Sequence, residues 1–110
     1  MKILTVRMFN RKGDENDFVE LDLDEVNYID LWQRTKNSDK VLAYHTSHGS
    51  YLGLSRLIDA YVVCKPYGFD LIGRSALVNQ NKIKSIEPDE HKGSIVHFFD
   101  GSHINVRRHF

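Results

Sequence analysis

Phe69-Asp70-Leu71-Ile72-Gly73-Arg74-Ser75-Ala76-Leu77-Val78-Asn79 is the stretch from which the fold can be read. Two short apolar runs flank a polar Gly73-Arg74-Ser75 break. Neither run is long enough to show a helical period, and short apolar runs bounded by turn residues read as strands. The pattern continues downstream, over Lys82 to Glu87, Ser94 to Phe99 and Ile104 to Arg107. Asp100-Gly101-Ser102 is a tight hairpin turn between the last two, and Pro88 to Gly93 a looser one. Ile95-Val96 and Phe98-Phe99 are apolar on both sides, so these strands are expected to lie between layers.

Upstream the period changes once. Leu54, Leu57, Ile58, Tyr61 and Val62 follow the i, i+3, i+4, i+7, i+8 rule of an amphipathic helix near residues 55–66. Ser55 is its expected N-cap, and Pro66 with Tyr67-Gly68 its stop. Its outward positions are then Arg56, Asp59, Ala60, Val63 and Cys64. Before the helix the strands return. Residues 2–9 alternate with Leu4, Val6 and Met8 on one side, and in Phe18 to Leu23 the residues Val19, Leu21 and Leu23 face inward. Asn10 to Asn16 is a polar turn between them. Residues 26–33 and 40–46 are strands separated by the polar loop Arg34 to Asp39, and His48-Gly49-Ser50 turns into Tyr51-Leu52. The expected fold class is all-β, or mainly β: a layered multi-stranded domain over residues 1–110 with one short α-helix.

The 110 residues suit a single domain, and 41% hydrophobic content suffices for a core. Cys64 is the only cysteine, which excludes an internal disulfide and fits a reducing, cytoplasmic setting. No apolar run approaches the ~18–20 residues of a membrane span, and Arg7 within the first apolar stretch argues against a signal peptide. Fifteen basic and fifteen acidic side chains cancel, but the acids concentrate between Asp14 and Asp30 while the segments with Arg74, Lys82, Lys84, Arg107 and Arg108 are basic.

The six histidines lack metal-site spacing; His45-x-x-His48, His97, His103 and His109 are scattered over strands and turns, so no metal is expected. There is no Gly-x-Ser-x-Gly elbow and no Gly-rich phosphate loop, and no cofactor or catalysis is expected. The helix offers DNA only Arg56, next to Asp59, so loops must carry any nucleic-acid contact. Three have suitable chemistry: Lys36-Asn37-Ser38-Asp39-Lys40, Arg74-Ser75, and Asn105-Val106-Arg107-Arg108-His109. Arginine can grip guanine bidentately, and asparagine adenine.

The opening stretch, followed by Ile83 and Ile86, resembles the signature of the LytTR DNA-binding domain family: a Phe, a basic-rich stretch, Ser, apolar residues, Val-Asn and two spaced isoleucines. The end of the chain, Phe98 to Arg108, looks like the family's final hairpin, and Val26 to Trp32, Val41 to Tyr51 and Leu54 to Val62 match its earlier pieces, so the resemblance covers roughly residues 15–110. It implies a layered β-domain of about ten strands that inserts loops into successive major grooves of double-stranded DNA, binding paired direct repeats. Carried over by position, base or backbone contacts would come from the loop Lys36, Asn37, Ser38, Asp39 and Lys40, from Arg74 with Ser75, and from Arg107 with Arg108; the division expected here puts Arg74 and Arg107 on bases and Lys36, Lys40, Ser75 and Arg108 on phosphates. Asn79 matches a family position but reads as structural, tying the turn before Ile83. The chain departs from the pattern at Asn105, where proline is common, and at Arg107, where serine is.

The expected function is that of a cytoplasmic bacterial transcriptional regulator, not an enzyme. It would be a monomer or weak dimer that binds cooperatively. Such domains usually follow a receiver domain; Met1 and the strand starting at Lys2 lean towards a free-standing member. The rival is a protein-interaction module that modulates another regulator without strong DNA binding of its own.

Overall fold

The computed structural model describes residues 1–53, 55–72, 75–90 and 93–107. Its strands are β1 (Lys2–Arg7), β2 (Phe18–Asp22), β3 (Val26–Trp32), β4 (Val41–Thr46), β5 (Gly49–Gly53), β6 (Phe69–Ile72), β7 (Ala76–Asn79), β8 (Ile83–Asp89), β9 (Gly93–Phe98) and β10 (His103–Val106). The one α-helix, α1, is Leu57–Cys64. A seven-stranded sheet runs β2-β1-β5-β4-β3-β7-β6 and a three-stranded sheet β10-β9-β8, with every pairing antiparallel. The expected all-β class with a single short helix is what the chain adopts.

The large sheet cannot be flat. Only Leu23-Asp24-Glu25 joins β2 to β3, four strand positions away. At ~4.8 Å per strand that gap is roughly 19 Å, more than so short a connection spans. The sheet therefore curls, and its concave side holds one core made of Leu21, Leu23, Ile29, Leu42, Tyr44, Phe69 and Leu77 under α1. On the other side, Tyr28, Ile72 and Val78 meet Val96, Phe98 and Val106 of the small sheet in a second core. Helix, large sheet and small sheet are thus three layers. In β7 the alternation sends Leu77 to the helix and Val78 to the small sheet, which is why all four of its residues are buried.

Four local expectations need correction. The buried stripe of α1 is Ala60 and Cys64 with Leu57 and Tyr61 packed beside them, while Ile58 and Val62 are exposed. Both stripes satisfy the helical spacing, because Leu57–Cys64 is apolar all round except for Asp59; the small Ala60 and Cys64 let the helix sit close to the sheet. The helix also starts later than expected. Arg56 holds the N-cap position without a side-chain cap, and Ser55 instead hydrogen-bonds the Tyr44 phenol. Leu54 lies outside the described residues. In β1 the inward residues are Ile3 and Thr5, not Leu4, Val6 and Met8. Thr5 is fully buried because its Oγ1 donates to the Val19 carbonyl at 2.8 Å. In β9 the paired apolar residues do not mark an inner layer: the small sheet is outermost, Ile95 is half-buried and Phe99 exposed.

The stop after α1 is as the sequence suggests. A 3-10 turn over Lys65–Tyr67 contains Pro66 and ends on Gly68, whose φ of +95° admits no ordinary side chain without strain. Burial pushes the Cys64 thiol up to about 11, so it is a packing group and not a nucleophile. No helix among the described residues is long and apolar enough to cross a membrane.

Candidate nucleic-acid interface

Strand register decides which turns share an end of the molecule. Asp30, near the finish of β3, pairs with Ala43 of β4 and Ala76 of β7. The β3–β4 loop (residues 33–40) and the start of β7, with Ser75 before it, therefore lie side by side. The end of β10 reaches the same place, since Asp30, Ile72, Ser75, Ala76, Asn105 and Arg107 line one cleft of about 590 Å3. Leu31 lines both this cleft and a second one that contains Lys40. Lys36, Asn37, Asp39, Lys40, Ser75 and Arg107 are all exposed at this end. Arg74 and Arg108 lie outside the described residues, so only their neighbours Ser75 and Arg107 are located.

The 33–40 loop is held by its own polar groups. Ser38 N donates to the Thr35 carbonyl at 3.1 Å, and the two hydroxyls are 2.6 Å apart. The Gln33 amide donates to the carbonyls of Lys36 and Ser38. Ser38 is thus an organiser of the turn, half-buried and occupied, while Lys36 and Asn37 project from its tip. Gln33 escaped the sequence reading; its only signal is an amide side chain directly after a strand.

At the other end of β3, roughly 20 Å away at ~3.3 Å per residue, the arrangement is denser. The Asp100 carboxylate accepts from Asn27 Nδ2 at 2.6 Å, Ser47 Oγ at 2.8 Å, Ser102 N at 2.9 Å and Ser102 Oγ at 2.6 Å. Desolvation alone would raise its pKa. The donors from Ser102, Ser47 and Asn27 outweigh that and hold the carboxyl well below the usual range. These bonds tie the β9–β10 turn of the small sheet to β3 and the β4–β5 turn of the large one. Asn79 acts beside them as the sequence suggests: Oδ1 caps Asn81 N at 3.1 Å, and Nδ2 donates to the Val26 carbonyl at 2.9 Å. The clamp orients the small sheet, and Gly93 sets where its far end closes. A Cβ there would come within 2.2 Å of the Val106 carbonyl, next to Arg107.

Acidic side chains occur along the whole of this axis, Asp30 and Asp39 at the loop end among them. Asp24 and Glu25 precede Val26 at the clamped end, and Glu20 and Asp22 lie on the edge strand β2. Asp17 in the β1–β2 connection is fixed by the Lys12 and Gly13 amides, both at 2.7 Å, and the first of these leads in lowering its pKa. The loop end bears Lys36, Lys40, Arg56 and Arg107 together with the acids Asp30 and Asp39.

Two of the described histidines, His45 and His97, make structural contacts. His45 bridges Asp30 Oδ1 and Ser50 Oγ, each at 2.7 Å, and stacks on Tyr28, which in turn stacks on Phe98 across the layers. His97 pairs with Glu87 at 2.6 Å on the small sheet. Among the described residues no group of three or more His, Cys, Asp or Glu side chains could hold a metal.

A family model for the LytTr DNA-binding domain matches residues 16–110, nearly the whole chain. The chain belongs to the LytTR family. This is a family of DNA-binding domains, not of enzymes, and it makes the protein a DNA-binding component of transcription regulation. Among solved structures, the LytTr DNA-binding domain of a putative methyl-accepting/DNA response regulator from Bacillus cereus is similar, with a TM-score of 0.72. That likeness covers 96% of this chain and 86% of the other at 19% identity, and it establishes the LytTR fold. No curated protein matches. β1 lies before the stretch that the LytTR model matches, yet it pairs with both β2 and β5 and so belongs to the large sheet.

Proposed function

We propose that this LytTR domain binds specific double-stranded DNA sequences by inserting the turns at its loop end into the major groove, and acts as a cytoplasmic bacterial transcriptional regulator. Arg74 and Arg107 read base edges. Lys36, Lys40, Ser75 and Arg108 hold phosphates, and Asn37 and Asp39 extend the surface of the first loop. A groove about 12 Å wide admits such turns, and guanine O6 and N7 suit a projecting guanidinium. The protein binds paired direct repeats as a monomer or weak dimer, cooperatively.

The observation that carries this reading is the common end shared by three segments distant in sequence, with Ser75 and Arg107 on one cleft and Lys40 just across Leu31. The test is selection of bound duplexes from a random pool, followed by anisotropy titration of the winner. Enrichment of a repeated motif, with affinity falling steeply as salt rises, is the expected result. Recovery of no motif, together with a co-purifying regulator protein, would overturn it in favour of a protein-interaction module.

A further inference from the structure

The second cleft, about 680 Å3, is not explained by DNA. Its walls are Leu31, Val41, Leu42, Leu57, Ile58 and Leu71, where the first turn of α1 leaves the sheet uncovered. Leu31 is 37% exposed and Ile58 53%, so the apolar surface is open to entry. A phosphate backbone could meet the rim but gains nothing from an aliphatic floor. The size falls in the ~300–1,000 Å3 range of small-molecule sites, which are mostly apolar with a few oriented polar groups.

Those polar groups have one sign. Lys40 and Arg56 are the only charged side chains lining the cleft among the described residues, and neither forms a salt bridge there. The Ser55 hydroxyl is the remaining polar side chain. The first turn of α1 has no side-chain cap and carries one acid, Asp59, which does not line this cleft. An apolar slot with two cations at its rim selects a ligand with an aliphatic body and an anionic end, and disfavours cationic amphiphiles and sugars.

The geometry points to a binding site for a free medium-chain carboxylate, with the chain between α1 and the sheet and the carboxylate held by Arg56 and Lys40. Lys40 is also a proposed phosphate contact, so ligand and DNA compete for it and each weakens the other. This antagonism rests on the proposed DNA contact; the ligand site itself does not.

Titration of the full chain with decanoate, without DNA, followed by amide NMR shifts, tests the site. The expected result is saturable shifts centred on Leu31, Val41, Leu42, Ile58 and Leu71. Decanoate should bind about tenfold or more tighter than its methyl ester or decyltrimethylammonium, and lose about tenfold in Arg56→Ala. Ile58→Trp, at an exposed position that folding tolerates, should obstruct the mouth and weaken decanoate too. Equal binding of acid and ester, shifts elsewhere on the surface, or no saturation below the micelle threshold would overturn the proposal. So would saturation by an apolar peptide but not by decanoate. In a parallel anisotropy assay decanoate should lower the DNA affinity of the wild type. An unchanged affinity overturns the antagonism alone, and a chain that binds no duplex at all fails the DNA reading while the NMR result still stands or falls by itself.

Discussion

At the clamped end, the Asp100 carboxylate gathers four hydrogen bonds from β3 and two separate turns, and Asn79 bonds across to Val26. At the loop end, the Thr35–Ser38 turn bonds only to itself and to Gln33, and the nearby cations stay exposed. Polar groups spent on internal contacts set the angle between sheets; polar groups left free are available to a partner. The division of labour assigns stability to one end and recognition to the other, and substitutions should separate the two.

The largest stability effect is expected at the clamped end. Asn79→Ala removes a buried amide, leaving the Val26 carbonyl without its donor and the Asn81 amide without its acceptor, a loss of about 2–3 kcal/mol in urea unfolding. Its DNA affinity, measured where the domain is still folded, should stay close to wild type. Arg107→Ala should do the reverse: unfolding within about 0.5 kcal/mol of wild type, but about 1–3 kcal/mol less binding to the selected duplex and relaxed preference at one base position. A variant that loses both together would mean the two ends are not independent.

Acid should act through the clamp. The folded-state pKa of Asp100 is lowered, so its stabilisation is present above the ordinary carboxylate range, near pH 4, and is lost as pH falls through the folded value. Urea midpoints between pH 7 and pH 3 should therefore fall more in wild type than in Asp100→Asn, with a difference of about 1 kcal/mol because the site is largely open to solvent. Equal slopes would remove Asp100 from the account. The smallest effect is expected for Lys40→Ala, which should weaken binding to all duplexes alike and reduce the slope of log affinity against log salt by about one.

What the sequence reveals follows the range of the forces involved. The strands were legible because alternation and turn chemistry are local: Phe18 to Leu23, the Phe69–Asn79 hairpin and the Asp100-Gly101-Ser102 turn are all found where pattern and turn residues indicate. The helix was legible in its presence and its stop but not in its start or its rotation, because an octet with one polar residue gives the period no direction. Thr5 was misassigned because only β2, brought alongside, supplies the Val19 acceptor. The clamp could not be read at all: Asn27 and Asp100 are 73 positions apart, and each alone is an ordinary turn or strand residue. Of the candidate interface, the residue types were legible in sequence, whereas their common end required the pairing of Asp30 with both Ala43 and Ala76.

Amide chemical-shift mapping with the selected duplex needs no substitution and reads both ends of the domain at once. If DNA binds the loop end, perturbation falls at Lys36–Lys40, Ser75 and Arg107, with Ser47, Asp100 and Ser102 unmoved. Shifts concentrated at Ser47, Asp100 and Ser102 instead would contradict it.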